Sequence, residues 1–166
     1  MVIPVVLGLG SNKGDSRSIL EGAVEVLQRD VLKNLRCSNF IETEPMGLKD
    51  QRWFLNAAVA GDFSQGGPHD LLDLIHRIEA TFGRDRSKER RWGERTLDID
   101  ILLFGSLIVS EPPVLEIPHP RLRERPFALI PLLQLLPDAV DPSTGESYKT
   151  VLERLHHCVY HISDYL

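Results

Sequence analysis

Apolar residues recur along this chain in two rhythms, strict alternation and three-to-four spacing, and the rhythm changes at glycine and proline breaks. Val2–Leu9 is a valine-rich apolar run closed by Gly10-Ser11-Asn12, which predicts a first strand. Asp15 or Ser16 can cap the helix that follows, where Ile19, Ala23, Val24, Leu27 and Val31 share one face. Leu35–Glu42 alternates Leu35, Cys37, Asn39 and Ile41 against Arg36, Ser38, Phe40 and Glu42, as a strand does. "FLNAAVAGDF" (54–63) predicts another strand with Leu55, Ala57 and Val59 on one side. Gly66-Gly67-Pro68 then breaks the chain before a helix whose Leu71, Ile75, Ile78 and Phe82 fall on one stripe.

"RTLDIDILLFG" (95–105) predicts the next strand, with a turn at Gly105-Ser106 and a short return strand over Leu107–Val109. Beyond the proline-rich stretch 112–120, "PFALIPLLQLLP" predicts a short buried helix that Pro131 either kinks or begins. A last helix is expected around Tyr148–Leu155. No repeat or linker interrupts the sequence, so residues 1–166 are expected to form one domain. The order strand-helix-strand-strand-helix-strand predicts an α+β, ferredoxin-like sandwich: a mostly antiparallel sheet with helices packed on it.

Composition narrows the function. With 42% hydrophobic and 26% charged residues over 166 positions, the chain can bury a core, and general disorder is not expected. A net charge of −5 argues against nucleic acid or a membrane surface as partner. Two distant cysteines, Cys37 and Cys158, form no C-x-x-C pair, and two thiols in a reducing cytoplasm are expected. The first residues lack the basic segment and cleavage site of a signal peptide, and no apolar run reaches spanning length.

The strand over 95–105 carries the first candidate chemistry. Asp98 and Asp100 are two apart, so they share a face with Cα atoms about 6.6 Å apart. Carboxylates so placed repel each other, yet they can share hard cations such as Mg²⁺; a solvent-facing pair is the plainer alternative. Directly before them, "RDRSKERRWGER" (84–95) sets Arg84, Arg86, Lys88, Arg90, Arg91 and Arg95 against Asp85, Glu89 and Glu94. A basic loop in an acidic chain, running into paired aspartates, suits a metal–polyphosphate complex, and a solvated charged loop is its alternative. "TEPMG" (43–47) and "QRWFLN" (51–56) bring Thr43, Phe54 and Asn56 together, where a ring can stack and an amide can read an edge. "PHPRLRERPFAL" (118–129) again joins cations with an aromatic: His119, Arg121, Arg123, Arg125 and Phe127. Gly8 to Gly14 sits where phosphate loops occur, but it fits neither the dinucleotide nor the P-loop spacing, and a tight turn explains it.

Together these pieces resemble a family. "RWGERTLDIDILLFG" is similar to the signature of the 6-hydroxymethyl-7,8-dihydropterin pyrophosphokinases, and "GLGSN", "TEPMG", "FLNAAV", "FGRDR" and "PHPRLRERPFALIPL" follow that family in order. The resemblance implies the same ferredoxin-like fold, and transfer of pyrophosphate from ATP to a reduced pterin with release of AMP; with it a monomer is expected. It implies that Asp98 and Asp100 hold two Mg²⁺ ions, and that Arg84, Arg95 and Asp100 are catalytic. It further implies ATP contacts from Arg86, Arg91, Trp92, Arg95, His119 and Arg125, with Leu72, His76, Glu79 and Ile101 around the adenosine. Phe54 and Phe127 would sandwich the pterin, Asn56 would bond its edge, and Gly10, Thr43, Met46 and Trp92 would complete its slot. His76 stands where some members have glutamine, and the 84–95 loop is one residue longer than in the shorter members.

Overall fold

The computed structural model describes residues 1–45, 50–84, 87, 93 and 96–155, and the backbone of 162–165. Strand β1 (Ile3–Ser11) is the middle of the sheet because both of its edges are taken. β4 (Phe54–Phe63) pairs antiparallel along its whole length on one side, and β5 (Asp98–Phe104) pairs antiparallel on the other. β2 (Leu32–Cys37) and β3 (Phe40–Thr43) share the far edge of β4, and β8 (Ile162–Tyr165) adds to β3. The sheet order β5-β1-β4-β3 with antiparallel neighbours is the ferredoxin-like arrangement expected from the order of elements.

Helix α1 (Ser16–Asp30) begins where the Asp15 carboxylate accepts the Ser18 N–H at 3.2 Å, and α2 (Pro68–Thr81) begins where Asp70 accepts the Gly67 N–H at 2.8 Å. Both helices cover one face of the sheet. Leu20, Ala23 and Leu27 of α1 and Leu71, Ile75 and Ile78 of α2 pack there on Val5, Leu7, Leu9, Leu55, Val59, Ile99 and Ile101. α3 (Pro126–Leu135) and α4 (Tyr148–Arg154) cover part of the other face, joining Val6, Ala58, Ala60, Leu102 and Leu103 in a second apolar cluster. Small residues on β4 let α3 lie close. Among the described residues the rest of that face is uncovered and forms a cleft.

Three expectations change. The strand over Leu35–Glu42 is two strands, because Ser38 leaves the alternation: its N–H donates to Ala58 O and its hydroxyl accepts the Ala58 N–H, both at 2.9 Å. The return strand at Leu107–Val109 is instead β6 (Val109–Glu111), which pairs with β7 (Leu115–Ile117) in a separate two-stranded sheet. The Leu107 N–H closes a turn on Phe104 O at 3.0 Å, which leaves Leu107 and Ile108 exposed. The Gly8–Gly10 segment is strand rather than turn, and the chain turns only at Gly14, where φ is +78°. Pro126 takes the first position of α3 and Pro131 lies inside it.

Cys37 is a free thiol, while Cys158 lies outside the described residues. Among the described residues no helix is long and apolar enough to cross a membrane.

Candidate active site

The open part of the sheet face is floored by backbone rather than side chains. Gly8 lies opposite Asp100 on β5 and Gly10 opposite Asp98, so the two carboxylates rise beside a strip with no side chains of its own. On β1's other edge Gly10 faces Asn56. Above this floor is a cleft of about 390 Å³, walled by Thr43, Phe54, Arg84, His119, Arg125 and Phe127 among others.

Arg84 follows the end of α2, and its position is set by a carboxylate behind it. Glu79 is 1% exposed; it accepts the Ile99 N–H at 2.9 Å and pairs with the Arg84 guanidinium. The same Arg84 Nη1 donates to Asp98 Oδ1 at 2.8 Å. A buried cation held between two acids has little freedom, so this guanidinium is preorganised at the cleft edge.

Asp98 and Asp100 keep side-chain exposures of 37% and 30%, both open to the cleft. Burial at the cleft floor, and then the neighbouring Asp98 charge, push the Asp100 carboxyl up to about 8, against the opposing pull of Arg125. Arg125 Nη1 stands 3.5 Å from Asp100 Oδ2. His119 is pushed down to about 4 by burial and by Arg125, so its ring is neutral near pH 7. Its Nδ1 accepts the Arg121 N–H at 3.2 Å, which assigns the ring proton to Nε2, 3.8 Å from Asp100 Oδ1.

At the other end of the cleft, Asn56 is buried and donates from Nδ2 to Thr43 Oγ1 at 2.6 Å. Its Oδ1 lies over Gly10, so closely that a Cβ there would stand 2.9 Å from it. Phe54 and Phe127 line the same end, with the Arg125 guanidinium 5.6 Å from the centre of the Phe127 ring. The cleft thus offers carboxylates and guanidinium groups at one end, and rings with a fixed amide at the other.

The structure therefore brings Gly10, Thr43, Phe54, Asn56, Arg84, Asp98, Asp100, His119, Arg125 and Phe127 to one cavity. Glu79 stands behind it, holding Arg84. Leu72 and Ile101 pack into the α1/α2 cluster on the opposite face, and His76 is exposed on α2. Met46, Arg86, Arg91, Trp92 and Arg95 lie outside the described residues. Sequence reasoning missed Gly8, Glu44, Leu102 and Ala128 as cleft residues. For Gly8 a signal existed: on a strand it shares a face with Gly10.

Among the described residues no group of three or more His, Cys, Asp or Glu side chains is placed to hold a metal ion. The donor set present is two adjacent carboxylates, one pushed upward by burial and then by the charge of the other, which a divalent cation would relieve. Magnesium fits such a set, since it commonly takes one or two carboxylates and leaves its other positions to water and phosphate oxygens.

Residues 6–137 match the family model described as 7,8-dihydro-6-hydroxymethylpterin-pyrophosphokinase. The chain is 45% identical over 150 residues to the 2-amino-4-hydroxy-6-hydroxymethyldihydropteridine pyrophosphokinase of Methylorubrum extorquens, covering 90% of this chain and 91% of that one. It is 44% identical over 130 residues to the enzyme of the same name from Bacillus subtilis, covering 78% of this chain and 75% of the relative. In fold it is similar to the crystal structure of wild-type Plasmodium falciparum HPPK-DHPS, with a TM-score of 0.74, 16% identity and 93% of this chain covered. It spans 43% of that longer protein.

Proposed function

The chain belongs to the 7,8-dihydro-6-hydroxymethylpterin-pyrophosphokinase family, and from that premise we propose how its cleft works. The protein transfers the pyrophosphoryl group of ATP to the hydroxymethyl group of 6-hydroxymethyl-7,8-dihydropterin, a step in folate biosynthesis. The pterin hydroxyl oxygen bonds to the β-phosphorus of ATP and releases its proton to solvent, the bond from that phosphorus to the α–β bridging oxygen breaks, and AMP leaves. The observation that supports this reading best is the division of one cleft into a carboxylate–guanidinium end and an aromatic–amide end.

Asp98 and Asp100 hold two Mg²⁺ ions in this reading. Bound there, magnesium supplies the positive charge that lets a polyphosphate approach two carboxylates. Arg84, fixed from behind by Glu79, offsets the charge that grows on the transferred group, with Arg95 as its partner in that role. Arg125 and the Nε2–H of His119 donate to phosphate oxygens, and Arg86, Arg91 and Trp92 complete the ATP contacts from the 84–95 segment. The family resemblance assigns Leu72, His76, Glu79 and Ile101 to the adenosine; they do not line the cleft, so in this reading the adenosine extends past it toward α2.

The pterin lies between Phe54 and Phe127. Asn56 bonds its edge, Thr43 and Met46 add backbone contacts, Trp92 is assigned to the same slot, and Gly10 leaves room beneath. The reading includes a monomer, and among the described residues one sheet carries both apolar clusters, which supports a single domain over 1–166. The reading includes a cytoplasmic protein, where ATP is abundant.

The test is incubation with Mg-ATP and the reduced pterin, followed by chromatography of the nucleotides. AMP formed only with the pterin, one per pyrophosphorylated product, is the expected result. ADP as the main product, or hydrolysis without the pterin, overturns the reading.

A further inference from the structure

The segment that brings His119, Arg125 and Phe127 to the cleft makes one 3-10 turn, Leu122–Glu124, before α3 begins. Short 3-10 turns have strained hydrogen-bond geometry and hold their shape weakly alone. Here the N-cap residue Arg121 makes no side-chain cap, and its exposed pair with Glu124 at 3.3 Å adds little. The turn is fixed instead by what its residues reach. Leu122 is 1% exposed and packs in the second apolar cluster with Tyr148 and Val151.

Arg123 does not line the cleft. Its Nη1 donates to Asp141 Oδ2 at 2.9 Å and its Nη2 donates to Glu146. Asp141 is 3% exposed and sits in a loop built to present it. The Ser143 N–H donates to Asp141 Oδ1 at 2.8 Å, the Gly145 N–H to Asp141 O at 2.7 Å, and the Asp141 N–H to Glu146 O at 2.8 Å. Glu146 is also paired with Arg154 of α4. A planar guanidinium bonded through two nitrogens to two separate carboxylates is fixed in orientation as well as position.

We propose that Arg123 is a positioning residue for pyrophosphoryl transfer: it clamps the Leu122–Glu124 turn to the Asp141–Glu146 loop and so aims Arg125 and Phe127 into the cleft. Arg125 is the sensitive element. Its Nη1 stands 3.5 Å from Asp100 Oδ2, at the limit of a hydrogen bond, so a small displacement of the turn removes that contact. The inference rests on the reading that Arg125 and Phe127 touch the substrates.

The test uses the full chain with Arg123→Met, which keeps the stem and removes the charge, and Arg123→Lys. Arg123→Met is expected to lower kcat/KM on the order of ten- to a hundredfold, the scale of a small misplacement remote from the chemistry. Arg123→Lys, reaching one carboxylate, recovers part of the loss. In an Arg125→Ala background the same Arg123→Met change is expected to cost clearly less than in the wild-type background, because one of the two residues it acts through is gone. Amide hydrogen exchange supplies a readout without activity: residues 119–129 exchange faster in Arg123→Met while β1 and α2 keep their protection. Equal losses of kcat/KM in both backgrounds, or unchanged exchange over 119–129, overturns the proposal. If the wild type makes no AMP, the functional reading fails, and the exchange result alone decides whether Arg123 clamps the turn.

Discussion

Gly10→Ala places a Cβ 2.9 Å from Asn56 Oδ1, closer than carbon and amide oxygen stand without one of them moving. The next neighbours, Phe54 Cδ1 at 3.7 Å and Leu55 O at 3.9 Å, are at ordinary contact. The strain therefore falls on one group. Asn56 must give by about half an ångström to restore a normal separation. It has little freedom, since its Nδ2 is bonded to Thr43 Oγ1 at 2.6 Å in a buried setting. Moving the amide breaks that bond or turns its oxygen away from a pterin, leaving a buried polar group unpaired at about 1–3 kcal/mol. Reduced-pterin affinity should fall roughly 5- to 150-fold. The carboxylate end of the cleft is untouched, so an ATP analogue with Mg²⁺ should bind as before. Stability should hold or fall slightly, because the unpaired amide outweighs the roughly 0.4–1 kcal/mol that alanine gains by restricting the unfolded chain. Titration calorimetry with each ligand, alongside a thermal melt, measures all three. A pterin Kd within twofold of the wild type, or an equal loss for the ATP analogue, refutes the reasoning. Gly8→Ala is the comparison: its Cβ meets only the Leu102 side chain, at 3.4 Å, and pterin binding should survive it.

Asp98→Asn or Asp100→Asn should abolish Mg²⁺-dependent turnover in a folded protein, and full activity in either variant removes the metal assignment. Asp100 is pushed up to about 8 against 3.8, so the folded chain keeps a proton that the unfolded chain sheds, and stability falls as pH climbs from about 4 to about 8. Stripped of divalent cations, Asp100→Asn should therefore melt above the wild type at pH 8, with the gap closing toward pH 4; a gap that ignores pH contradicts the shift. Arg84→Ala should lower kcat by about 10²–10³ with ATP affinity little changed. It should also lower Tm, since Glu79 stays buried without this partner, and a folded variant with full kcat refutes the role. Phe127→Ala should weaken pterin binding by on the order of 1–3 kcal/mol, by analogy with base–aromatic stacking, and spare ATP. Equal loss of both ligands points to general disruption of α3.

Local chemistry made much of this legible. The Leu71, Ile75, Ile78 stripe and the Gly67-Pro68 start fixed α2 closely because that helix buries one face, and the apolar run 54–63 fixed β4, which buries both of its faces. Partners in space were harder. Ser38 interrupts a good alternating run through a bond to Ala58, twenty residues away, which no local pattern announces. The Gly8-to-Gly14 run looked like a turn because glycine signals freedom, whereas at Gly8 and Gly10 its use is the missing side chain. The site residues collected because they came as motifs with a shared chemical need. Glu79 was different: no motif announced that its buried carboxylate holds Arg84 and accepts the Ile99 N–H.

The pairing of β1 with β5 slips once: Val6 faces Leu103 and Leu7 faces Ile101, so Leu102 has no partner across the ladder. Counting by twos from Asp98 would set Phe104 on the aspartates' side, yet Phe104 packs with Phe63 on the other. The extra residue absorbs the parity error. This changes how length is to be weighed when such chains are aligned. A relative one residue shorter between its second aspartate and the following turn could straighten this strand and still keep both acids over the cleft. A gap at that point would record a bulge lost, while a gap between Asp98 and Asp100 would separate the pair onto opposite faces.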